Sequence, residues 1–340
     1  MAFKVWMSLI TGILLALLVA LAWKQIVHAW ELLGQLNVWV LALLIPVQII
    51  SYLAAGEMMF SYLRSKGAMM GVGPLKQARM ALELNFVNHV LPSGGVSGIS
   101  YMNWRLKKYG ITSGRATASQ MIRYVAQFAA YIILLLISVA MITIDGNVNR
   151  WVILFSILLV FMMTVGTVAM VFVISSQKRC DKFAVFVTGA IKKVVKFVTF
   201  GRVKKVVDGK TVQKFLAEMH EEYLTLRHDR KLLLKPFLWG IVFNIFDTLL
   251  FVVTFWALGA PVSPAAVMIA YGLASFVGLF VVTPGGTGAY EAVMASFLVT
   301  AGMTPGAAIA GTLVTRIVVL LGTIGFGYIF YQLAILRHDK

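Results

Sequence analysis

The chain has 340 residues, 60% of them hydrophobic and only 13% charged, with a mean hydropathy of +0.88. Soluble domains run at roughly 45–50% apolar and about 25% charged, so this composition exceeds what a soluble core can bury. Disorder is excluded on the same ground, and the single Cys180 excludes a disulfide scaffold.

Long uncharged runs, rather than alternating ones, point to an all-α polytopic membrane protein. Six runs are long enough to cross a bilayer: 5–27, 38–63, 117–144, 150–176, 235–258 and 307–336. The first lies between Lys4 and Lys24 and exceeds the apolar region of a signal peptide. Ala20-Leu21-Ala22 has the look of a cleavage site, yet the length reads as a retained helix. Two further apolar stretches are interrupted. Residues 76–105 carry Pro92-Ser93-Gly94-Gly95, and residues 264–301 carry Pro284-Gly285-Gly286-Thr287-Gly288. Broken backbone at membrane depth is tolerated only inside protein or beside a water-filled cavity. Both stretches therefore read as re-entrant or discontinuous helical hairpins.

The net charge of +17 does not imply a nucleic-acid partner, because membrane proteins gather Lys and Arg in cytoplasmic loops. Residues 176–235 hold 15 Lys/Arg against 6 Asp/Glu, so this linker is expected in the cytoplasm. Alternation then puts Lys4, Arg64/Lys66/Lys76/Arg79, Arg105/Lys107/Lys108/Arg115 and Arg337/Lys340 on the same side. Both termini are expected to be cytoplasmic, in the inner membrane of the cell. Within the linker, Phe183, Phe186, Val187, Ile191, Val194, Val195 and Phe197 interleave with Lys182, Lys192, Lys193 and Lys196. That pattern reads as an amphipathic helix on an anionic leaflet, with a regulatory or partner-binding role as the alternative.

Shifting the chain by 192 residues superposes Pro92 on Pro284, Gly94 on Gly286, Gly110-x-Thr112-x-Gly114 on Gly302-x-Thr304-x-Gly306, and Gly67-Ala68 on Gly259-Ala260. Over 90–124 this gives 10 identities in 35 positions. We read an internal repeat, 38–144 and 235–336, joined by the basic linker. The odd number of crossings in each unit inverts the second copy. Inverted repeats with broken helices are the architecture of transporters that alternate access around a midplane site.

Six ionisable residues fall in apolar segments: Glu57, Glu83, Arg123, Asp247, Glu291 and Arg316. Each costs at least ~2.5 kcal/mol at mid-membrane unless paired or hydrated. One reading pairs Glu57 with Arg123 and Asp247 with Arg316 to hold the repeats. The other makes Arg123 and Arg316 ligands of an anionic substrate, since a guanidinium offers phosphate two parallel hydrogen bonds, with Glu57, Asp247, Glu83 and Glu291 holding the arginines or receiving a cationic head-group amine. Glu291 follows the glycine break and can cap the helix start, or the same amides can hold a phosphate. Asn85, Asn88 and His89 read as satisfied polar residues. The Gly-x-x-x-Gly spacings at 94/98, 110/114 and 302/306 read as close helix contacts. Metal-ligand, nucleophile-elbow and phosphate-loop motifs are absent from the sequence, so no catalytic residue, metal or cofactor is expected.

Val282-Thr-Pro284-Gly-Gly286-Thr-Gly288-Ala-Tyr-Glu291, then Ala301-Gly302 and a span carrying Arg316, resembles the C-terminal signature of the lysylphosphatidylglycerol synthase transmembrane region. That family is also called the flippase-like domain. Leu91-Pro92-Ser-Gly94-Gly95-Val-Ser-Gly98 and Arg105-Leu-Lys107-Lys108-Tyr-Gly110 resemble its N-terminal counterpart. The resemblance implies lipid handling, as in the multiple peptide resistance factor, whose membrane part is associated with moving aminoacylated phosphatidylglycerol outward. It places Pro284, Gly286, Gly288, Glu291 and Arg316 on the family pattern. The sequence runs to Lys340 without a soluble aminoacyltransferase segment, so synthase activity is not expected. The expectation is a flippase for an anionic, aminoacylated or polyprenyl-phosphate-linked lipid, bound in an arginine-lined cavity between the repeats. A separate lipid synthase and a second copy of the chain are candidate partners. The alternatives are a small-solute or ion transporter, an intramembrane enzyme acting on a prenyl lipid, and a non-transporting partner of a lipid-modifying enzyme.

Overall fold

The computed structural model describes residues 27, 36–90, 96–144, 150–198, 209–278 and 288–336. Among them no strand occurs. Twelve α-helices follow in order: α1 Val38–Ala42, α2 Leu44–Ser65, α3 Pro74–Val90, α4 Val96–Lys107, α5 Ser113–Ile144, α6 Arg150–Ile174, α7 Gln177–Val198, α8 Gly209–His228, α9 Leu234–Ala257, α10 Pro264–Gly278, α11 Ala289–Thr300 and α12 Pro305–Leu336. Five helical segments are long and apolar enough to cross a membrane: Val38–Ser65, Ser113–Ile144, Arg150–Ile174, Arg230–Ala257 and Pro305–Ile335. The chain is thus a multi-pass α-helical membrane protein. The expected span 5–27 lies outside the described residues except for Val27, and Pro92, Gly94, Gly95, Pro284, Gly285 and Gly286 lie outside them entirely.

Local chemistry accounts for the ends. Asn37 caps α1, its Oδ1 accepting from the backbone amides of Trp39 at 3.1 Å and Val40 at 3.3 Å. The span that begins at Val38 divides after Ala42 because Pro46 has no N–H to give the carbonyl of Ala42 and its ring crowds that oxygen. Each interrupted stretch forms two short helices, α3–α4 and α10–α11. The third span begins four residues earlier than the sequence indicated, at Ser113, since Arg115 and the first turn extend beyond the apolar run.

The two halves share their geometry. Helices α5 and α12 are both 32 residues long and start 192 positions apart. Ala68 donates to Leu63 O at 2.9 Å, and Ala260 to Phe255 O at 3.0 Å. Ile111 donates to Leu106 O at 3.3 Å, and Met303 to Leu298 O at 3.0 Å. Gly67, Gly110, Gly259 and Gly302 all adopt positive φ in these turns, the backbone that closes a helix C-terminus and favours glycine. These glycines are therefore needed at 110 and 302 for the turn rather than for close packing. Their partners Gly114 and Gly306 meet nothing tighter than Glu218 at 3.8 Å from a Cβ on Gly114.

The halves interlock. Helices α2 and α9 pack against each other at the centre, α3 lies on α12, and α10 lies on α5. Hydrogen bonds mark both crossings: Arg79 Nη2 reaches Phe330 O at 3.2 Å, and Tyr131 OH reaches Met268 O at 2.6 Å. Close approach comes from other glycines. A Cβ on Gly240 would stand 2.8 Å from Ala126 O, and one on Gly272 would collide with the Tyr131 hydroxyl. Helices α7 and α8 form a hairpin against the ends of α6 and α5. Its small core joins Cys180, Ala184, Leu216 and Met219 to Ile174.

Candidate functional site

A polar layer crosses the interior of this apolar bundle. On α2, Gln48 donates to Val319 O at 2.7 Å and to Tyr52 OH at 2.8 Å, and Tyr52 hydrogen-bonds Thr323 of α12. One turn along α2, Ser51 donates to Asp247 Oδ1 of α9 at 3.2 Å. The other carboxylate oxygen of Asp247 accepts from Tyr271 of α10. Phe251 meets the Tyr271 ring in a tilted arrangement at a centroid distance of 6.2 Å and stacks on Tyr290 at 6.4 Å. Tyr290, at the start of α11, hydrogen-bonds Ser275 and stands within electrostatic reach of Asp247, Glu291 and Arg316. Five helices from both halves thus contribute to one layer. Buried polar groups are retained only when satisfied, and those in this layer carry named partners.

The arginine end of the layer is built on α11 and α12. Arg316 stacks over the Tyr290 ring at 4.2 Å, and its Nε meets Glu291 Oε1 at 3.2 Å. The other oxygen of Glu291 accepts from the amide of Gly288 at 2.6 Å, closing the first turn of α11 as a capping carboxylate. Gly288 has φ +95°, which suits glycine at this break. A carboxylate held between a guanidinium and a helix N-terminus occupies the environment in which proteins also hold phosphate. The side chains of Arg316 and Glu291 are 22% and 16% exposed, so the pair is reachable from outside the core.

Arg123 holds the matching place in the first half. It is the eleventh residue of α5, as Arg316 is the twelfth of α12, roughly 16 Å along each helix at 1.5 Å per residue. It lies over the Tyr124 ring at 4.5 Å and is 5% exposed. Among the described residues its Nε has no hydrogen-bond partner, nor has the Oε1 of Gln120 one turn earlier, although Gln120 Nε2 reaches Met59 Sδ at 3.0 Å. Two unsatisfied buried polar atoms on one helix face are costly unless something polar joins them.

The remaining charges pair locally. Glu57 is bound by Arg64 from the same helix, and Arg64 also binds Gln77 of α3. The expected Glu57–Arg123 pair is thus corrected: seven residues bring Arg64 to the same side of α2 two turns away. Glu83 is fully buried and accepts from Arg79 Nε at 2.9 Å, Arg105 Nε at 2.9 Å and Tyr101 OH at 2.8 Å. In the sequence Arg79, Arg105 and Arg64 read only as loop charge. The i,i+4 spacing of Arg79 and Glu83 was the available signal. Asn85 bonds back to Ala81 O at 3.0 Å. The side chain of His89 lies outside the described residues.

The family model described as the lysylphosphatidylglycerol synthase TM region matches residues 5–327, nearly the whole chain. No curated protein and no solved structure matches.

Proposed function

The chain belongs to the lysylphosphatidylglycerol synthase transmembrane-region family, and from that premise we propose that it moves an anionic or aminoacylated phospholipid between leaflets of the cell membrane. The observation that carries this reading is the Arg316–Glu291–Gly288 arrangement at the end of a polar layer drawn from both halves. The lipid phosphate replaces Glu291 on Arg316, whose guanidinium plane is already oriented by Tyr290. The acyl chains stay in the bilayer. Glu291 keeps its bond to the Gly288 amide, and its charge, with that of Asp247, receives a cationic head-group amine. Arg123 is the corresponding phosphate ligand of the first half. Glu57 and Glu83, already held by Arg64 and by Arg79 and Arg105, anchor the first hairpin. No covalent step is involved, and both termini face the cytoplasm. The membrane potential supplies ~2.3 kcal/mol per charge per 100 mV, enough to bias the direction of a charged head group.

The test is transbilayer movement of head-group-labelled phosphatidylglycerol in proteoliposomes. Wild-type protein should exceed empty vesicles severalfold, and Arg316→Gln should abolish the excess while Arg316→Lys retains part of it. Equal rates for wild type and Arg316→Gln would overturn the assignment of the phosphate ligand. A wild-type rate equal to empty vesicles, with labelled lysyl-phosphatidylglycerol as well, would overturn the transport reading.

A further inference from the structure

The α7–α8 hairpin uses its amphipathic surface in an unexpected way. The face of α7 that carries Cys180, Ala184 and Thr188 is buried against α8 and the end of α6, so it is not available to lipid. What remains outward is a mixed face. Val185 is 67% and Phe186 70% exposed, and Lys178, Lys182 and Lys193 are exposed on the same side, with Asp181 at its margin. Phe183 stacks on Phe186 at 6.4 Å and so supports it from the protein side.

The placement of this face decides what it meets. Helix α6 has 25 residues, about 37 Å at 1.5 Å per residue, which slightly exceeds the ~30 Å hydrocarbon core. It ends at Ile174 and α7 begins at Gln177, so α7 starts at the depth of the lipid head groups. The turn is fixed there. His220 of α8 meets Ile174 O at 2.6 Å, Cys180 Sγ donates to Val173 O at 3.4 Å, and Arg179 stacks on Phe172 at 3.9 Å. Apolar side chains set among lysines at that depth match an interface carrying anionic phosphates. We infer that the Val185–Phe186 face of α7, with Lys178, Lys182 and Lys193, is a binding surface for the anionic head groups of the surrounding bilayer, separate from the Arg316 site. Helix α8 carries this surface on the bundle, packing on α5 beside Met121, two residues from Arg123.

A spin label at position 186, introduced as Phe186→Cys in a Cys180→Ala background, reads the depth. The full chain is reconstituted in neutral phosphatidylcholine vesicles and in vesicles with one third phosphatidylglycerol. Anionic lipid should raise oxygen accessibility relative to a water-soluble nickel chelate severalfold, and molar salt should reverse the change. A triple Lys178→Gln, Lys182→Gln, Lys193→Gln variant should lose the response, whereas Arg316→Gln should keep it, which separates this surface from the proposed transport site. A Val185→Cys label provides the same reading independently of Phe186. The inference is overturned if the labels stay water-accessible in both vesicles, if they are equally immersed without anionic lipid, or if the triple variant still responds.

Discussion

Replacing Glu83 by Gln tests whether the first hairpin is held by charge. Glu83 is fully buried and receives three donors, two of them guanidinium nitrogens at 2.9 Å. The substitution keeps the shape and leaves two cations facing a neutral amide. Removing one member of a buried ionic group costs about 3–5 kcal/mol. The lower end applies, because the Arg79 side chain is one-quarter exposed and keeps its bond to Phe330 O. At about 2.1 cal/mol/K of unfolding entropy per residue, 340 residues give about 0.7 kcal/mol/K, so the loss corresponds to about 4–5 °C. Glu57→Gln is the reference, since both partners of the Glu57–Arg64 pair are partly exposed and such pairs contribute roughly 0–1 kcal/mol. Thermal unfolding of both variants in one detergent gives the comparison. Adding Arg105→Gln to Glu83→Gln should recover part of the loss, because it removes the stranded cation. The reasoning fails if Glu83→Gln melts with the wild type, or if Glu57→Gln is the more damaging change.

Three further outcomes follow from the packing and the chemistry. Gly240→Ala places a Cβ 2.8 Å from the backbone oxygen of Ala126, so α9 must move off α5 at a cost of about 1–3 kcal/mol; Gly114→Ala, with no contact under 3.8 Å, should leave the melting temperature unchanged or raise it. Burial pushes the Cys180 thiol above its ordinary value, and only the thiolate reacts. Maleimide labelling at neutral pH should therefore be slower than for free cysteine, rise with pH beyond the free-thiol midpoint, and reach the free rate once the chain is unfolded. Tyr271→Phe deletes one donor to Asp247 and leaves Ser51; a hydrogen bond to a charged group contributes about 1.5–3 kcal/mol, so the variant should melt lower while Ser275→Ala, whose hydroxyl meets Tyr290 rather than the carboxylate, should lose less.

How far the sequence alone reaches can be seen helix by helix. The long spans were legible because hydrocarbon demands uninterrupted apolar runs, and α5, α6, α9 and α12 lie within a few residues of the expected bounds. The turns at Gly67, Gly110, Gly259 and Gly302 were legible at their 192-residue spacing because positive φ favours glycine. The ion pairs were not legible. Whether Glu57 meets Arg64 or Arg123 depends on how α2 and α5 are rotated against each other, which hydropathy does not encode. Asp247 accepts from a serine and a tyrosine on other helices, residues that carry no formal charge to draw attention. The linker was half legible: its basic, amphipathic character is evident in composition, but the packing of Cys180 and Ala184 of α7 against α8 and the end of α6 is not.

The repeat also exposes an asymmetry that bears on function. Arg64, Arg79, Glu83 and Arg105 of the first half correspond, 192 residues on, to Trp256, Tyr271, Ser275 and Phe297. The first hairpin is therefore tied within itself by ions, Glu83 to Arg79 and Arg105, while its counterpart is packed within itself by aromatic rings and hydroxyls and directs its Glu291 outward to Arg316 of α12. An ionic network in low dielectric separates only at high cost once its members lose one another, whereas aromatic contacts slide with smaller penalties. Two pseudo-equivalent hairpins of unequal stiffness would not open with equal ease, so under the transport reading the α10–α11 side, which carries Glu291, is the moving gate and the α3–α4 side the anchored one. Spin labels across α11 and α12 should then show two distance populations, with a single population across α3 and α4. Two populations across α3 and α4 with one across α11 and α12 would reverse the assignment.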